Sequence, residues 1–329
     1  MQLIDNVENK CIQDLINLSL EEDLLPNGDL SAFLLDDSLA KAKIIAKEDG
    51  LMACSFIVEQ ILVCGLQFFI DKRYFDIEVT NLESLKIDVK QFFKDSNEFK
   101  TGDILFEITA PAALLLALER TILNFLQRLC GVATTTMQLL NNFKDTETKL
   151  LDTRKTAPGM RFLEKQAFKA AGATNHRLNL SDMVMIKENH IALSRFENII
   201  EAIAATHQKI KEEKLEDHKG NKVKIEVEIN KDNKKLLEII FKQALVDIVM
   251  LDNFSVAEIK DLIQEITSLK EKYSEAQNIK IEASGGIDID NISDYAKLGL
   301  DYISSAYVSK NSKNIDLSML VKTQVEALS

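Results

Sequence analysis

Residues 150–191 read LLDTRKTAPGMRFLEKQAFKAAGATNHRLNLSDMVMIKENHI, and this stretch decides the fold. A short apolar strand ends at Asp152, and Pro158, followed by glycine, interrupts the chain before the next element. Apolar side chains at helical spacing predict a helix over Met160–Ala171. A second buried strand ends at Lys187. The stretch therefore predicts a strand, a helix and a strand, with cationic side chains where the strands end.

The same alternation of strands and helices continues toward the C-terminus. Strands separated by helices of about 10–15 residues are typical of βαβ units and a parallel sheet. We therefore predict an α/β fold with a parallel sheet, and we predict that the polar segment 209–222 is a surface excursion. The predicted strands are 149–151, 183–186, 223–229, 246–251, 279–283 and 302–305, and the predicted helices are 160–171, 196–208, 232–243, 255–269 and 291–298.

The first third of the chain mixes helical and strand patterns. Residues 112–140 are strongly apolar and predict one kinked helix or two, interrupted near Gly131. Arg128 in this region is predicted to lie on the solvated flank of a core helix. Arg120 instead follows a run that is apolar on every face of the helix, as at a domain or subunit boundary. The other predicted elements are helices over 11–24 and 56–64 and strands over 39–47, 75–79 and 104–108.

The composition restricts the possible partners and the compartment. The chain has 40 Lys and Arg against 52 Asp and Glu, a net charge of −12, which disfavours a nucleic-acid surface. A cationic cluster in such an acidic chain indicates a small anionic ligand. The four cysteines have no CxxC spacing, which favours a reducing compartment. No apolar run reaches the roughly 18 residues of a membrane span, and no signal peptide is evident, so we expect a cytoplasmic protein without a membrane partner.

Polar residues gather where the predicted strands end. In a β/α barrel the carboxyl ends of the strands converge on one mouth, which holds the active site. The side chains expected there are Asp152, Arg154, Lys155, Lys187, Glu226, Glu228, Asp252, Asn253, Ser284, Gly285 and Gly286.

The cations in this set suit two kinds of anion. Arg154 and Arg177 offer planar forks that pair with two oxygens, so they suit a planar dianion. Lys155 and Lys187 are point charges that suit a phosphate or a pyrophosphate. Taken singly, Arg154, Lys155 and Arg177 also fit ordinary solvated loop charges.

The remaining members supply oxygens and backbone N–H groups. Glu228 and Asp252 suit sugar hydroxyls or a Mg²⁺ ion that bridges phosphates. Residues 284–286, Ser-Gly-Gly, follow a strand as phosphate-binding loops of barrels do. Glu226 and Glu228 share a strand face, so both point inward or both point outward.

The four histidines of the chain are predicted either to bind the ligand or to have structural or surface positions. His176 is predicted either to bind the ligand or to satisfy a core hydrogen bond. His190 is predicted to be structural, and His207 and His218 are predicted to be surface residues.

The ordered motifs of the chain resemble those of the quinolinate phosphoribosyltransferases, the decarboxylating enzymes of de novo NAD synthesis. The resemblance covers nearly the whole chain. It implies an N-terminal α/β sandwich domain over 1–117, with the tail 308–329 packing on it, and an incomplete β/α barrel over 118–307. The motifs are EED…NGD (21–29), KEDG (47–50), ERTILNFLQRLCGVAT (119–134), DTRKTAPGMRFLEK (152–165), NHRLNLSDMVMIKENH (175–190), EVE (226–228), MLDNFS (250–255) and ASGGI (283–287).

The resemblance also implies roles for individual residues. Quinolinate and phosphoribosyl pyrophosphate would react to nicotinate mononucleotide, CO₂ and pyrophosphate, with Lys187, Glu228 and Asp252 as catalytic residues. Mg²⁺ would bind Glu228 and Asp252, directly or through water. A homodimer would share its sites, with Arg120 donated across the interface. The implied quinolinate residues are Arg120, Arg154, His176, Arg177 and Lys187, and those for phosphoribosyl pyrophosphate are Lys155, Glu228, Asp252, Ser284, Gly285 and Gly286.

Three other functions fit the same residues in part. A nicotinate-type transferase would not decarboxylate, but two arginines and a histidine favour a diacid. A barrel lyase would use Lys187 as a Schiff-base nucleophile. A regulatory binder would bind without turnover. One departure from the family pattern is Ala306, where a glycine is usual after the last strand.

Overall fold

The computed structural model describes residues 2–35, 38–72, 87–143 and 145–323, so the predicted strand over 75–79 lies outside the described residues. Contacts divide the chain into two units. The first contains Asp5–Met137, Ala157–Gly172 and Asn311–Ser329, and the second contains Met1–Ile4, Gln138–Thr156 and Ala173–Lys310. The predicted boundary between residues 117 and 118 falls inside a long helix, 20 residues before the first unit's break at Met137. None of the described helices is long and apolar enough to cross a membrane.

The secondary structure has ten α-helices and twelve strands in the described part of the chain. In chain order they are α1 (Gln2–Leu24), β1 (Leu39–Ala46), β2 (Gly50–Leu51), α2 (Ile57–Lys72), β3 (Asp88–Gln91), β4 (Glu98–Phe99), β5 (Ile104–Pro111), α3 (Ala112–Leu140), β6 (Lys149–Leu151), α4 (Arg161–Ala170), β7 (Val184–Ile186), α5 (Glu188–Ala192), α6 (Ile199–Glu213), β8 (Ile225–Ile229), α7 (Leu237–Gln243), β9 (Ile248–Asp252), α8 (Val256–Lys272), β10 (Lys280–Ser284), α9 (Ile292–Ala296), β11 (Tyr302–Ser304), α10 (Tyr307–Asn311) and β12 (Leu317–Thr323).

The first unit contains a four-stranded antiparallel sheet in the order β12-β1-β5-β3. Along β1, Ala42, Ile44 and Ala46 are fully buried and alternate with more exposed residues, as in a strand with one face on a core. Ile44 pairs with Phe106 on β5 and with Met319 on β12. The C-terminal strand therefore completes the N-terminal sheet.

The helix α3 corrects two expectations from the sequence. It is one continuous helix through Gly131, where a Cβ atom would lie 2.0 Å from the carbonyl oxygen of Lys313, so this glycine allows the C-terminal chain to approach. Arg128 was predicted to be solvated, and that prediction is wrong. Its Nη2 lies 2.6 Å from Oε1 of Glu164, whose side chain is 2% exposed. A buried carboxylate needs such a partner.

The second unit contains a six-stranded parallel sheet in the order β6-β11-β10-β9-β8-β7. The two edge strands, β6 and β7, are neighbours in sequence, and a closed barrel would pair them. Among the described residues β6 and β7 do not pair, and β6 instead makes one isolated bridge, from Leu151 to Thr174 in the loop before β7. The predicted incomplete β/α barrel is confirmed, and its opening lies between its first and second strands.

The predicted elements of this unit form at nearly the predicted positions. The segment 209–222 differs, because α6 continues to Glu213 and ends where Lys214 adopts a left-handed conformation. Residues 209–213 are therefore helical rather than part of a surface excursion. The predicted helix over 232–243 is a 3₁₀ turn, Lys234–Leu236, followed by α7.

Candidate active site

The site begins with a buried carboxylate at the end of β6. Asp152 is 7% exposed, and its Oδ1 accepts a hydrogen bond from the backbone N–H of His176 at 2.9 Å. This bond ties the loop that enters β7 to the end of β6. The backbone of His176, and with it the neighbouring Arg177, is thereby held beside the carboxyl end of β6.

Arg177 and Arg154 form the cationic centre of the site. Arg177 is 9% exposed, and its Nη1 donates to the carbonyl of Met183 at 3.2 Å. Burial and the nearby positive charge of Arg154 lower the pKa of Arg177. Nε of Arg154 is buried and has no hydrogen-bond partner among the described residues. Two guanidinium groups that repel each other favour an anion between them.

Arg177 also reaches the strand that ends in Lys187. Its Nη2 lies 3.5 Å from Sδ of Met185 on β7. Met185 and Lys187 are two residues apart, so their side chains lie on the same face of the extended chain. The cationic centre and Lys187 therefore share one rim.

His176 contacts two buried glutamates beneath this rim. Its Nε2 lies 2.9 Å from Oε2 of Glu226 and 3.4 Å from Oε2 of Glu282, and both glutamate side chains are 0% exposed. Burial lowers the pKa of His176, but the two carboxylates outweigh it and raise that pKa to about 10. Burial and the charge of Glu282 raise the pKa of Glu226.

Lys187 contacts a carboxylate across the rim. Its Nζ donates to Oε2 of Glu228, whose side chain is 16% exposed. Burial and the charge of Glu228 raise the pKa of Asp252, against the opposing charges of Lys187 and Lys155. Lysines 155 and 187 therefore lie in the field of the same two carboxylates.

A glycine turn closes this side of the site. Gly285 has a φ of +91°, and a Cβ atom there would lie 2.3 Å from Oδ1 of Asn253. Asn253 itself has a φ of +59°, and its backbone N–H donates to the carbonyl of Ser284 at 2.9 Å. Oγ of Ser304 donates to Oγ of Ser284 at 3.0 Å. The loops after β9, β10 and β11 are thus in direct contact.

Most of the predicted site residues of the second unit lie at or just after the carboxyl ends of its strands, whereas Glu226 is the second residue of β8 and His176 and Arg177 lie in the loop before β7. Glu226 and Glu228 point inward, since both are largely or fully buried. Arg120 belongs to the first unit; it lies on α3, its side chain is 64% exposed, and it lies 4.0 Å from Glu119. Ala306 immediately precedes α10 and is partly buried.

The sequence analysis missed three features near the site. Glu282 was not singled out, although an acid inside an apolar strand is a visible signal. Asn253 was noted only as following its strand. His218 was predicted to be a surface residue, and that is wrong, because its Nδ1 contacts Oδ1 of Asp182 and its side chain is only 28% exposed. The polar segment around His218 gave no signal for that partner.

Comparisons with known proteins identify close relatives of the whole chain. Residues 29–130 match the family described as quinolinate phosphoribosyl transferase, N-terminal domain, and residues 132–320 match its C-terminal domain. A Bacillus subtilis protein named probable nicotinate-nucleotide pyrophosphorylase (carboxylating) is 34% identical over 318 residues, 96% of each chain. One from Methanocaldococcus jannaschii with the same name is 36% identical over 79% of this chain and 83% of its own.

Solved structures agree with these matches. The crystal structure of NadC from Streptococcus pyogenes has a TM-score of 0.77 at 30% identity and covers 95% of this chain and 96% of that chain. The nicotinate-nucleotide pyrophosphorylase from Francisella tularensis has a TM-score of 0.74 at 31% identity and covers 95% and 97% of the two chains.

Proposed function

This chain belongs to the quinolinate phosphoribosyltransferase family, and from that premise we propose that the Arg154–Arg177 centre is its quinolinate pocket. The chain is an enzyme, a phosphoribosyltransferase. It converts quinolinate and phosphoribosyl pyrophosphate to nicotinate mononucleotide, CO₂ and pyrophosphate, in agreement with the names of its relatives. The roles of its own residues rest on the geometry described above.

The buried, unpartnered Nε of Arg154 beside the buried guanidinium group of Arg177 is the observation that carries the pocket assignment. Burial and the charge of Arg154 lower the pKa of Arg177, and a doubly charged ligand relieves the repulsion between the two groups. Quinolinate has two carboxylates on adjacent ring atoms, and two guanidinium forks provide parallel donors for such oxygens. His176 and Lys187 lie beside this centre and complete the set of positive groups.

The binding preference of the protein tests this pocket. Calorimetric titration is expected to give much tighter binding of quinolinate than of nicotinate, which has one carboxylate. Equal affinity for the two acids would contradict a pocket built for a diacid and would favour the nicotinate-type transferase.

Phosphoribosyl pyrophosphate is proposed to bind across the rim, beside Lys155 and Lys187. The glycine turn at 284–286 exposes backbone N–H groups for phosphate oxygens, and Gly285 is in the left-handed region. Glu228 and Asp252 are placed to accept hydrogen bonds from ribose hydroxyls. The ammonium groups of the two lysines favour the negative charge that builds on the departing pyrophosphate.

Two neighbouring carboxylates fit a Mg²⁺ ion on this side of the site. The charge of Glu228 helps to raise the pKa of Asp252, so a divalent cation with a preference for oxygen would stabilise the pair. We propose that Glu228 and Asp252 hold Mg²⁺, directly or through water. When bound, the ion would neutralise pyrophosphate oxygens.

The same residues account for both bond changes. As the bond from ribose to pyrophosphate breaks, positive charge develops on the ribose, and the carboxylates of Glu228 and Asp252 favour it. The pyridine nitrogen forms the new bond and becomes cationic. Loss of CO₂ from the adjacent carbon then leaves a carbanion next to that cation, a stabilised ylide, and this carbon takes a proton from water to give nicotinate mononucleotide. Arg154 and Arg177 hold the ring in place throughout.

The contact of Lys187 with Glu228 disfavours the lyase alternative. A Schiff-base nucleophile must be a neutral amine, whereas a lysine paired with a carboxylate is an ammonium group. Borohydride treatment in the presence of quinolinate is therefore expected to leave Lys187 unmodified. A trapped adduct on Lys187 would support the lyase instead.

We propose that Arg120 acts in the site of a partner subunit in a homodimer. Its side chain is exposed and 4.0 Å from the nearest acid, Glu119, so it is available to a ligand of another chain. Mixing Arg120→Ala with Lys187→Ala subunits is expected to restore about a quarter of wild-type activity, because half of the dimers then carry one intact site. Activity is measured after mixing under conditions that exchange subunits.

The unmixed variants provide the control for this experiment, since each is expected to be nearly inactive alone. No recovery of activity after verified subunit exchange would contradict a shared site.

We also propose that the enzyme works in the reducing cytoplasm, where its four cysteines, all free in the structure, stay reduced.

Gly285→Ala is expected to raise KM for phosphoribosyl pyrophosphate about tenfold, because left-handed strain and the contact with Asn253 each displace the loop. The affinity for quinolinate is expected to change little. Steady-state kinetics with each substrate varied in turn measure both effects.

Gly299→Ala is the matched control for this change. Gly299 has a similar φ of +78°, but nothing lies within 4 Å of its added Cβ. A similar rise in KM in both variants would show that general strain, and not the phosphate loop, is responsible.

A further inference from the structure

We propose that Glu226 and Glu282 are positioning residues that hold His176 as an imidazolium directed at the acid pocket. The proposal deepens the proposed function and rests on it for the identity of the ligand. The two glutamates themselves do not touch the substrate. They act through the ring of His176, which they orient and charge.

Three strands bring these groups together. Glu228 on β8 and Glu282 on β10 both pair with Met250 on β9, so they lie level on one face of the sheet. Glu226 precedes Glu228 by two residues and shares that face. Both Glu226 and Glu282 are 0% exposed and point at Nε2 of His176, at 2.9 and 3.4 Å.

Hydrogen bonds from the described residues do not compensate the charges of the two buried carboxylates. In the described part of the chain, none of their four oxygens makes a hydrogen bond of good geometry. Buried carboxylates without hydrogen bonds are strongly unfavourable unless a cation lies beside them. A charged His176 supplies that cation, and a neutral His176 does not.

The surrounding charges balance only if His176 is protonated. Arg177 interacts with Glu226, so two cations, Arg177 and His176, face two carboxylates. Asp152 contacts the backbone N–H of His176, and Tyr302 on β11 pairs with Glu282 in the sheet. Burial, with smaller contributions from the charges of Asp301 and Glu282, raises the pKa of Tyr302, so that phenol stays neutral.

The charge state of the ring decides whether it attracts a carboxylate. Nε2 faces the glutamates, so it carries a hydrogen in either state. In a neutral ring Nδ1 would then be an acceptor, which repels a ligand carboxylate, whereas in the imidazolium Nδ1–H is a donor. The two glutamates therefore convert His176 into a fixed donor for one carboxylate of quinolinate.

A metal ion is the other ligand that such a cluster suits. The three side chains place their donor atoms within 4.8 Å of one another. The separation of 2.9 Å between Nε2 and Oε2 of Glu226 is that of a direct ion pair, and the imidazolium together with Arg177 meets the need for cations. A metal ion on Nε2 would displace that hydrogen, so the two states are distinguishable.

Nitrogen NMR of the protein labelled in histidine tests the charge directly and needs no substrate. Only four histidines are present, and the resonances of His176 are those lost in His176→Gln. Both ring nitrogens are expected to remain of the imidazolium type up to about pH 9, well above the usual titration near 6.5. In Glu282→Gln the change of the ring nitrogens from the imidazolium to the neutral type is expected at least about two pH units lower. Addition of EDTA is expected to change neither spectrum.

Kinetics test the consequence for binding. In Glu282→Gln, kcat/KM for quinolinate is expected to fall about 10- to 100-fold at about pH 9, and the loss is expected to shrink near pH 6, where His176 regains its proton. KM for phosphoribosyl pyrophosphate is expected to stay unchanged. Glu282→Asp keeps the charge and is expected to recover much of the loss. Glu271→Gln, the same change on an exposed side chain, is the control.

Several results would overturn the proposal. The first is that His176 of the wild-type protein titrates near pH 6.5. The second is that EDTA changes the nitrogen NMR spectra. The third is that the loss of kcat/KM for quinolinate in Glu282→Gln does not depend on pH. Glu226→Gln provides a second variant if Glu282→Gln does not fold. The NMR titration of His176 in the wild-type protein tests the proposal even if neither variant folds. A wild-type protein that fails to turn over quinolinate but keeps a charged His176 would contradict the proposed function and not this inference.

Discussion

Arg177→Ala is expected to lower kcat/KM for quinolinate by about 100- to 1000-fold, because it removes a buried charge that pairs with the substrate. Arg177 is 9% exposed, and its charge interacts with those of Arg154 and Glu226. Without it, one substrate carboxylate loses its planar partner, and Glu226 adds an uncompensated negative charge beneath the pocket. KM for phosphoribosyl pyrophosphate is expected to change little, since its proposed residues lie across the rim. Steady-state kinetics with each substrate varied in turn measure the difference.

Arg195→Ala is the control for this prediction. Arg195 is exposed and lies over the ring of Phe196, outside the site, so its removal is expected to affect neither substrate. Equal losses for both substrates in Arg177→Ala, together with a lowered melting temperature, would indicate a damaged fold and would contradict the assigned role.

Lys187→Ala is expected to lower kcat by about 100- to 1000-fold, an effect typical of a lost group that stabilises transition-state charge. Lys187 contacts Glu228, and its charge opposes the rise in the pKa of Asp252. Its removal leaves two neighbouring carboxylates without their cation, in the region where a negatively charged pyrophosphate must depart. Single-turnover measurements separate this loss in the chemical step from a loss in binding.

Two further variants make the prediction specific. Lys187→Arg keeps the charge and is expected to retain more activity than Lys187→Ala. Lys231→Ala removes an exposed ion pair with Glu258 and is expected to have no effect. A Lys187→Ala enzyme with the wild-type kcat would show that Lys187 does not act on the leaving group.

Local patterns were sufficient to predict the parallel sheet. Strands such as β9 are short and mainly apolar, end in a polar residue, here Asp252, and are followed by a helix with apolar side chains at helical spacing. The position of Arg154, Lys187 and Asp252 at one rim follows from that topology alone, because parallel strands share a carboxyl edge.

Pairings between distant segments could not be predicted in this way. The strand β12 joins β1, at the other end of the chain, and no local signal names its partner. Arg128 was misjudged for the same reason, since Glu164 lies 36 residues away on another helix. The proposed role of Glu282 depends on its contact with His176, which also contacts Glu226, and these three residues come from a loop and two strands that are distant in sequence. Burial of a charge is a property of the folded chain, which the sequence shows only indirectly.

The most direct test of a diacid pocket facing a ribosyl donor is turnover of quinolinate labelled in the carboxyl group next to nitrogen. The purified protein is incubated with this acid, phosphoribosyl pyrophosphate and Mg²⁺, and labelled CO₂ and nicotinate mononucleotide are measured together. The two products are expected in equal amounts, and only when the ribosyl donor is present. Absence of labelled CO₂, or formation of the mononucleotide from nicotinate but not from quinolinate, would contradict the account.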